Sequence, residues 1–234
     1  MTRRRWIADT WTETTATLKG EQAVHLARVL RAQPGQIFDV VANGFLHRAE
    51  IVSAKEQAVV FTLHEELEAD AALPVHLLMA VFKFDHMEWG IEKVTELGAA
   101  RITPVIARRT EKHLALAAAK RVERWRRIVL EAAKQSRRTD VPVVDDPVTL
   151  KLALGGVAAE TKLLLAETEQ ENSLSVGLFG AESVALAIGP EGGWTPEEMA
   201  LFGESGWKSV TLGPRILRAE TAAIAGLAVC ASVL

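Results

Sequence analysis

The sequence predicts an α/β protein in two parts: a small β-rich domain over residues 1–72, then a larger domain over 73–234 built on a mostly parallel sheet. Three observations lead there. Short apolar runs flank an Asn43-Gly44 pair in the first third of the chain. From Pro74 onward, continuous apolar runs of strand length alternate with stretches of helical spacing. Between the two lies a polar boundary, Glu65-Glu66-Leu67-Glu68-Ala69-Asp70. Strands that alternate with helices imply crossover connections and hence a parallel sheet. A length of 234 residues suits two domains.

In the N-terminal part, one short helix fits residues 20–30, with Val24, Leu26, Val29 and Leu30 interleaved with His25, Arg28 and Arg31. Strands are expected at 36–41 and 45–52, joined at Asn43-Gly44, because both residues tolerate the positive φ of a tight hairpin. A third strand fits 58–63. In the second part, 75–81 reads as a buried strand. A helix over 87–97 is stopped by Gly98. A strand follows at 102–106, then a long helix over 114–135 with Val122, Trp125, Val129 and Ala132 on one face. Further strands fit 162–165, 183–188 and 209–212. Thr195-Pro-Glu-Glu198 reads as a capping box with proline in the first turn. An Ala-rich apolar helix closes the chain over 219–234.

The net charge of −3 is unevenly distributed. Residues 101–138 carry twelve Lys or Arg against three Glu, and 139–234 carry five against thirteen acids. A focused basic segment in a mildly acidic chain points to one polyanion-binding face; a solvated helix face is the plain alternative. The single cysteine, Cys230, excludes an internal disulfide and a cysteine zinc site, and the six scattered histidines give no metal-ligand spacing, so no metal is expected. The N-terminus lacks the apolar core of a signal peptide and no run approaches a membrane span, so a cytoplasmic protein is expected.

Two glycine-bearing segments sit where an α/β fold binds small ligands, between a strand and a helix. The first is Ile188-Gly-Pro-Glu-Gly-Gly-Trp-Thr-Pro-Glu-Glu198. It lacks both the Lys-Ser/Thr of a phosphate-gripping loop and the Gly-x-Gly-x-x-Gly of a dinucleotide site, which argues against a nucleotide-dependent oxidoreductase. The second is Leu212-Gly-Pro-Arg-Ile-Leu-Arg-Ala-Glu-Thr-Ala222, where Arg218, Glu220 and Thr221 are polar groups set among apolar ones. Those residues are either functional or merely cap the last helix.

Together these segments resemble the 16S ribosomal RNA uracil-N3 methyltransferase family (RsmE), a branch of the SPOUT superfamily. His25-Leu-Ala-Arg-Val-Leu-Arg31 is similar to the same family, as are Lys83 with Met87-Glu, Ile91-Glu-Lys-Val-Thr-Glu-Leu-Gly98, and Arg124-Trp through Arg138. The resemblance spans nearly the whole chain. Ala219 departs from the usual threonine and Trp194 from the common phenylalanine.

The resemblance implies an N-terminal PUA-like RNA-binding β-barrel, a C-terminal methyltransferase domain with a deep trefoil knot, a homodimer, and S-adenosylmethionine as cofactor. It implies transfer of a methyl group to N3 of a uridine in small-subunit ribosomal RNA. The expected cofactor-binding residues are Leu165, Ile188, Gly189, Pro190, Glu191, Gly192, Gly193, Leu212, Gly213, Ile216, Leu217, Arg218, Thr221 and Ala222. Arg218 is expected to stabilise a uracil oxygen, and Glu191 or Glu220 to accept the N3 proton or to orient Arg218. RNA contacts are expected from Arg3, Arg4, Arg5, His25, Arg28, Arg31, Lys83, Arg137 and Arg138. A knotted methyltransferase with another RNA target, and a non-catalytic RNA-binding assembly factor, are the rival readings.

Overall fold

Alternating burial along short strands builds the first part of the chain. The computed structural model describes residues 5–69 and 72–234. The chain divides into one unit of Met1–Ala71 with Lys134–Asp140 and a second of Ala72–Ala133 with Val141–Leu234. The first unit contains β1 (Arg5–Ile7), β2 (Thr10–Trp11), β3 (Thr15–Lys19), α1 (Gly20–Val24), β4 (Ile37–Ala42), β5 (Phe45–Ala54) and β6 (Ala58–Leu67). They form one sheet in the order β1-β4-β5-β6-β3-β2, with β1 parallel to β4 and the other pairs antiparallel. Ala16, Leu18, Ala49, Ile51, Val59 and Phe61 turn inward as a core with Trp6 and Leu26. The hairpin turn falls on Asn43 and Gly44, with φ of 53° and 81°, the positive-φ pair such a turn demands.

Three expectations shift here. The helix over 20–30 is α-helical only to Val24 and continues as a wider π-helical turn over His25–Val29. The boundary segment is partly strand, because Glu66 and Leu67 pair with His47 and Leu46. The strands of residues 5–19 were not anticipated. They are two to five residues long, and β4 and β6, the partners of β1 and β3, lie far along the chain.

The second unit contains β7 (Leu73–Ala80), α2 (Phe84–Glu96), β8 (Ala99–Ile106), α3 (Lys112–Gln135), β9 (Val143–Val144), β10 (Val148–Thr149), α4 (Leu150–Gly155), β11 (Thr161–Leu165), α5 (Leu174–Gly177), β12 (Val184–Ile188), α6 (Pro196–Glu204), β13 (Lys208–Val210) and α7 (Ala219–Val233). The sheet order is β10-β8-β7-β12-β11-β13, with β9 also on β8 and every pair parallel. Both faces are covered. Val75, Leu77, Met79, Leu186 and Ile188 share a core with residues of α2, α3 and α7, while Leu78, Ala80, Ala185 and Ala187 pack with those of α4 and α6. Burial on both faces explains why these strands read as unbroken apolar runs. Gly226 lets α7 lie close to the sheet, since a Cβ there would stand 2.9 Å from Leu186 Cδ2. Because all the strands run one way, their carboxyl ends collect on one side, and the glycine-bearing segments emerge there.

Candidate active site

Register brings the expected cofactor residues together. Leu164 pairs with Ala187 and Leu165 with Val210, so β12, β11 and β13 end nearly in step. Ile188, Leu165 and Leu212 therefore stand at three neighbouring strand ends. The segment after β11 is tied to the one after β13: Thr211 N–H donates to Asn172 O at 2.8 Å, and Leu174 N–H donates to Thr211 O at 2.9 Å.

The loop after β12 is braced from several sides. Gly193 N–H closes a turn onto Pro190 O at 2.8 Å, with Gly193 at φ +70°. Gly189 lies against the Trp194 ring, where a Cβ would come within 3.1 Å of Nε1. Trp194 itself packs edge-on to Phe202, ring centroids 4.9 Å apart. The Thr195–Glu198 capping box is complete, and Glu198 Oε1 also accepts the Arg108 N–H at 2.8 Å. Glu191 Oε2 lies 3.5 Å from Lys83 Nζ at the start of α2.

The segment after β13 is more open. Gly213 sits at φ +115° with nothing within 4 Å of where a Cβ would be. Ile216 is 80% exposed. Arg218 is the N-cap of α7, exposed and without a carboxylate partner among the described residues. Glu220, two residues on, is buried and faces the other way: its Oε1 lies 3.0 Å from His86 Nδ1 on α2. Each of the two candidate carboxylates thus lies beside a side chain from the beginning of α2. Thr221 is exposed and Ala222 half-buried in the first turn of α7.

The site can therefore offer the backbone of two glycine-bearing loops, bare at Gly213, apolar side chains at Leu165, Ile188, Leu212 and Leu217, the cation Arg218 and the amino end of a 15-residue helix. A neutral cradle of this kind suits a cationic ligand with a flat apolar part, and the amino end of the helix beside it favours negative charge.

Comparison with known proteins agrees with that geometry. The family model described as RNA methyltransferase domain matches residues 69–231, and that described as RNA methyltransferase PUA domain matches residues 18–63. The ribosomal RNA small subunit methyltransferase E of Synechocystis sp. is 38% identical over 92% of this chain and 72% of its own length. That of Bacillus subtilis is 33% identical over 91% and 88%. The chain belongs to the ribosomal RNA small subunit methyltransferase E family. Among solved structures, the family member from Neisseria gonorrhoeae, bound to S-adenosyl methionine, superposes with a TM-score of 0.81 at 30% identity, covering 97% of this chain and 95% of its own.

In this RNA methyltransferase the other expected RNA-binding residues have varied surroundings. Arg3 and Arg4 lie outside the described residues. Arg5 Nη1 donates to Arg137 O at 2.6 Å, and Arg137 adopts φ 62°. Arg138 is paired with Asp140. His25 packs its ring on Trp6, while Arg28 and Arg31 are exposed. Much of the basic segment is internally neutralised: Arg121 and Arg124 both reach Glu88, and Arg126 reaches Glu123 and Asp146. Among the described residues no group of His, Cys, Asp or Glu is arranged to hold a metal, and no helix is long and apolar enough to cross a membrane.

Sequence reasoning missed Arg109, whose Nη1 donates to Gly192 O at 2.5 Å. It also missed His86. Neither lies in a glycine-bearing segment; Arg109 reaches one from the turn after β8 and His86 reaches the other from α2, a signal visible only in three dimensions.

Proposed function

We propose that this methyltransferase transfers a methyl group from S-adenosylmethionine to N3 of a uridine in the 16S RNA of the small ribosomal subunit. The observation that carries the reading is the level alignment of three strand ends, with glycine-bearing loops on two of them and the unpaired Arg218 at the rim. Leu165, Ile188–Gly193, Leu212, Gly213 and Ile216–Ala222 would hold the cofactor, largely through backbone groups. When bound, it supplies an electrophilic methyl on a sulfonium.

The chain's own task is to make N3 nucleophilic and to aim it. N3 of uracil carries a proton at neutral pH, so charge develops on the flanking carbonyl oxygens as that proton leaves. Arg218 would meet that charge, helped by the N–H groups at the start of α7. Glu191, exposed beside Lys83, is the better candidate to accept the proton. Glu220 is turned inward to His86 and fits a positioning role. Holding N3 in line with the methyl group accounts for much of the rate, as positioning generally does. The target base must leave its stack to reach the loops. Arg5, His25, Arg28, Arg31, Lys83, Arg137 and Arg138 would hold the phosphates, which orient the RNA without specifying it.

The same reading takes the protein to be cytoplasmic, its last segment to be threaded as a trefoil knot, and the working form to be a homodimer. Trp89 on α2 and Ile216, 49% and 80% exposed, offer apolar surface for a second copy.

The test is direct. Small-subunit RNA from a strain lacking the enzyme is incubated with the purified protein and labelled S-adenosylmethionine, and nuclease digests are read by mass spectrometry. The expected product is a single 3-methyluridine. A methyl group on a ribose, or on transfer RNA in preference, would replace the target assignment. Cofactor and RNA binding without any transfer would favour an assembly factor.

A further inference from the structure

Most arginines of the basic segment are already neutralised. Arg101 pairs with Asp145, Arg121 and Arg124 with Glu88, Arg126 with Glu123 and Asp146, and Arg138 with Asp140. Arg108 and Arg109, in the turn that leaves β8, are exposed and have no carboxylate at ion-pair distance among the described residues. We propose that Arg109, with Arg108 beside it, forms a phosphodiester-binding site on the rim of the glycine loop after β12, taking the RNA backbone next to the target base. This rests on the methyltransferase reading and adds a contact to it.

The turn is rigid where it carries these side chains. Thr110 Oγ1 donates to Val81 O at 3.0 Å and accepts the Ala107 N–H at 3.2 Å. The Arg108 N–H is fixed at 2.8 Å by Glu198, itself buried and committed to the capping box of α6. From that base the Arg109 side chain runs across Gly192. A Cβ at Gly192 would stand 3.3 Å from Arg109 Cδ, so the glycine makes room for the arginine. Nη1 then donates to Gly192 O at 2.5 Å and, less closely, to Trp194 O at 3.4 Å.

A guanidinium has five N–H groups in a flat fork. Arg109 spends one arm on the loop, and its Nε and Nη2 keep donors with no acceptor among the described residues. A phosphodiester matches such a fork with two parallel charge-assisted bonds. One competing charge is Glu197 in the first turn of α6. Its carboxyl is held below the usual range, first by its own backbone N–H and the Thr195 hydroxyl, then by the fields of Arg108 and Arg109. It feels both arginines without pairing with either. One side chain thus joins the loop proposed for the methyl donor to a place for the RNA backbone, so bound RNA and loop conformation are coupled through Arg109.

The experiment compares wild type, R109Q and R109K, each checked for folding by circular dichroism. Binding to labelled 16S RNA is measured from about 50 to about 200 mM KCl, and S-adenosylmethionine binding by calorimetry. Loss of one phosphate contact should weaken RNA binding by R109Q roughly tenfold and flatten log K against log salt by about 0.7–0.9. R109K, which keeps the charge, should retain most of that slope. An unchanged slope in R109Q overturns the proposal. So does a loss of cofactor affinity with the slope intact, which would assign the arginine to the donor's carboxylate or to bracing alone. If the wild type binds both ligands and only the slope prediction fails, the methyltransferase reading stands. If the wild type binds neither, both fall.

Discussion

The two ends of the parallel sheet use charged and polar groups in opposite ways. Toward the amino ends, His76 on β7, Arg101 and Thr103 on β8 and Asp145 beyond β9 form a closed network. Asp145 takes both Arg101 Nε and Nη2, at 2.8 and 2.9 Å, and also the Thr103 hydroxyl. Since the Thr103 proton goes to the carboxylate, its oxygen accepts from His76 Nε2 at 2.7 Å, which fixes the imidazole tautomer. At the carboxyl ends, by contrast, Arg218, Arg108 and Arg109 keep donors unspent, and Gly213 leaves backbone bare. A network whose donors and acceptors are matched serves the fold. Groups left unmatched at a strand-end cleft are available to a ligand. The difference lies in pairing and not in residue type.

The sharpest way to break that contrast is to remove a group from each end and measure both turnover and stability. Arg218→Ala should cut methyl transfer by about 100-fold, the scale of a lost donor to developing charge, with little change in melting temperature. Near-normal turnover would take Arg218 out of the chemistry. A fall in stability to match would make it a structural cap of α7 instead.

At the other end, Asp145→Ala should do the reverse. It leaves the Thr103 hydroxyl and the Arg101 guanidinium without their acceptor, and Thr103 is buried. The cost should be about 2 kcal/mol, read from urea denaturation, because orphaned buried groups lose hydrogen bonds that water cannot restore. Methyl transfer by the remaining folded protein should stay near the wild-type level. A large loss of turnover without loss of stability would overturn the assignment of this network to the fold.

The sequence carried the carboxyl end far better than the amino end. Both glycine-bearing segments are contiguous, and the glycines, the capping box and the helix start each leave a local mark. The Asn43-Gly44 turn and the stop at Gly98, with φ of 105°, were legible for the same reason. The amino-end network has no such mark: residues 76, 101, 103 and 145 meet only once three strands are in register. The pairing within the basic segment was hidden for a related reason. Its arginines are contiguous, but Glu88, Asp145 and Asp146, which neutralise several of them, lie outside it. Pairing over distance also hid β1 and β3, and it gave β6 its extra length through Leu67.

Acid provides the finest test of the closed network. Burial, and then the Arg101 charge, pull the His76 pKa from its ordinary 6.5 to about 4, against a smaller upward pull from Asp145. The unfolded chain therefore takes up this proton more readily than the folded one. The sign follows: the stability that His76 contributes as a neutral ring is complete above about pH 6.5 and is lost as pH falls toward the folded value. Asp145 titrates in a more acid range. Burial raises its carboxyl, but the Arg101 and Thr103 hydrogen bonds outweigh that and hold it below its ordinary value. Replacing His76 with glutamine keeps an amide donor near the position of Nε2 and removes the titration. His76→Gln should thus flatten the decline in stability between about pH 7 and about pH 5 by roughly 2 kcal/mol, measured by chemical denaturation at each pH. A decline as steep as in wild type would mean that His76 is already protonated in the fold. The Asp145–Thr103–His76 chain would then be a charged relay reaching the surface, and the amino end of the sheet would resemble the reactive end more than the matched hydrogen bonds suggest.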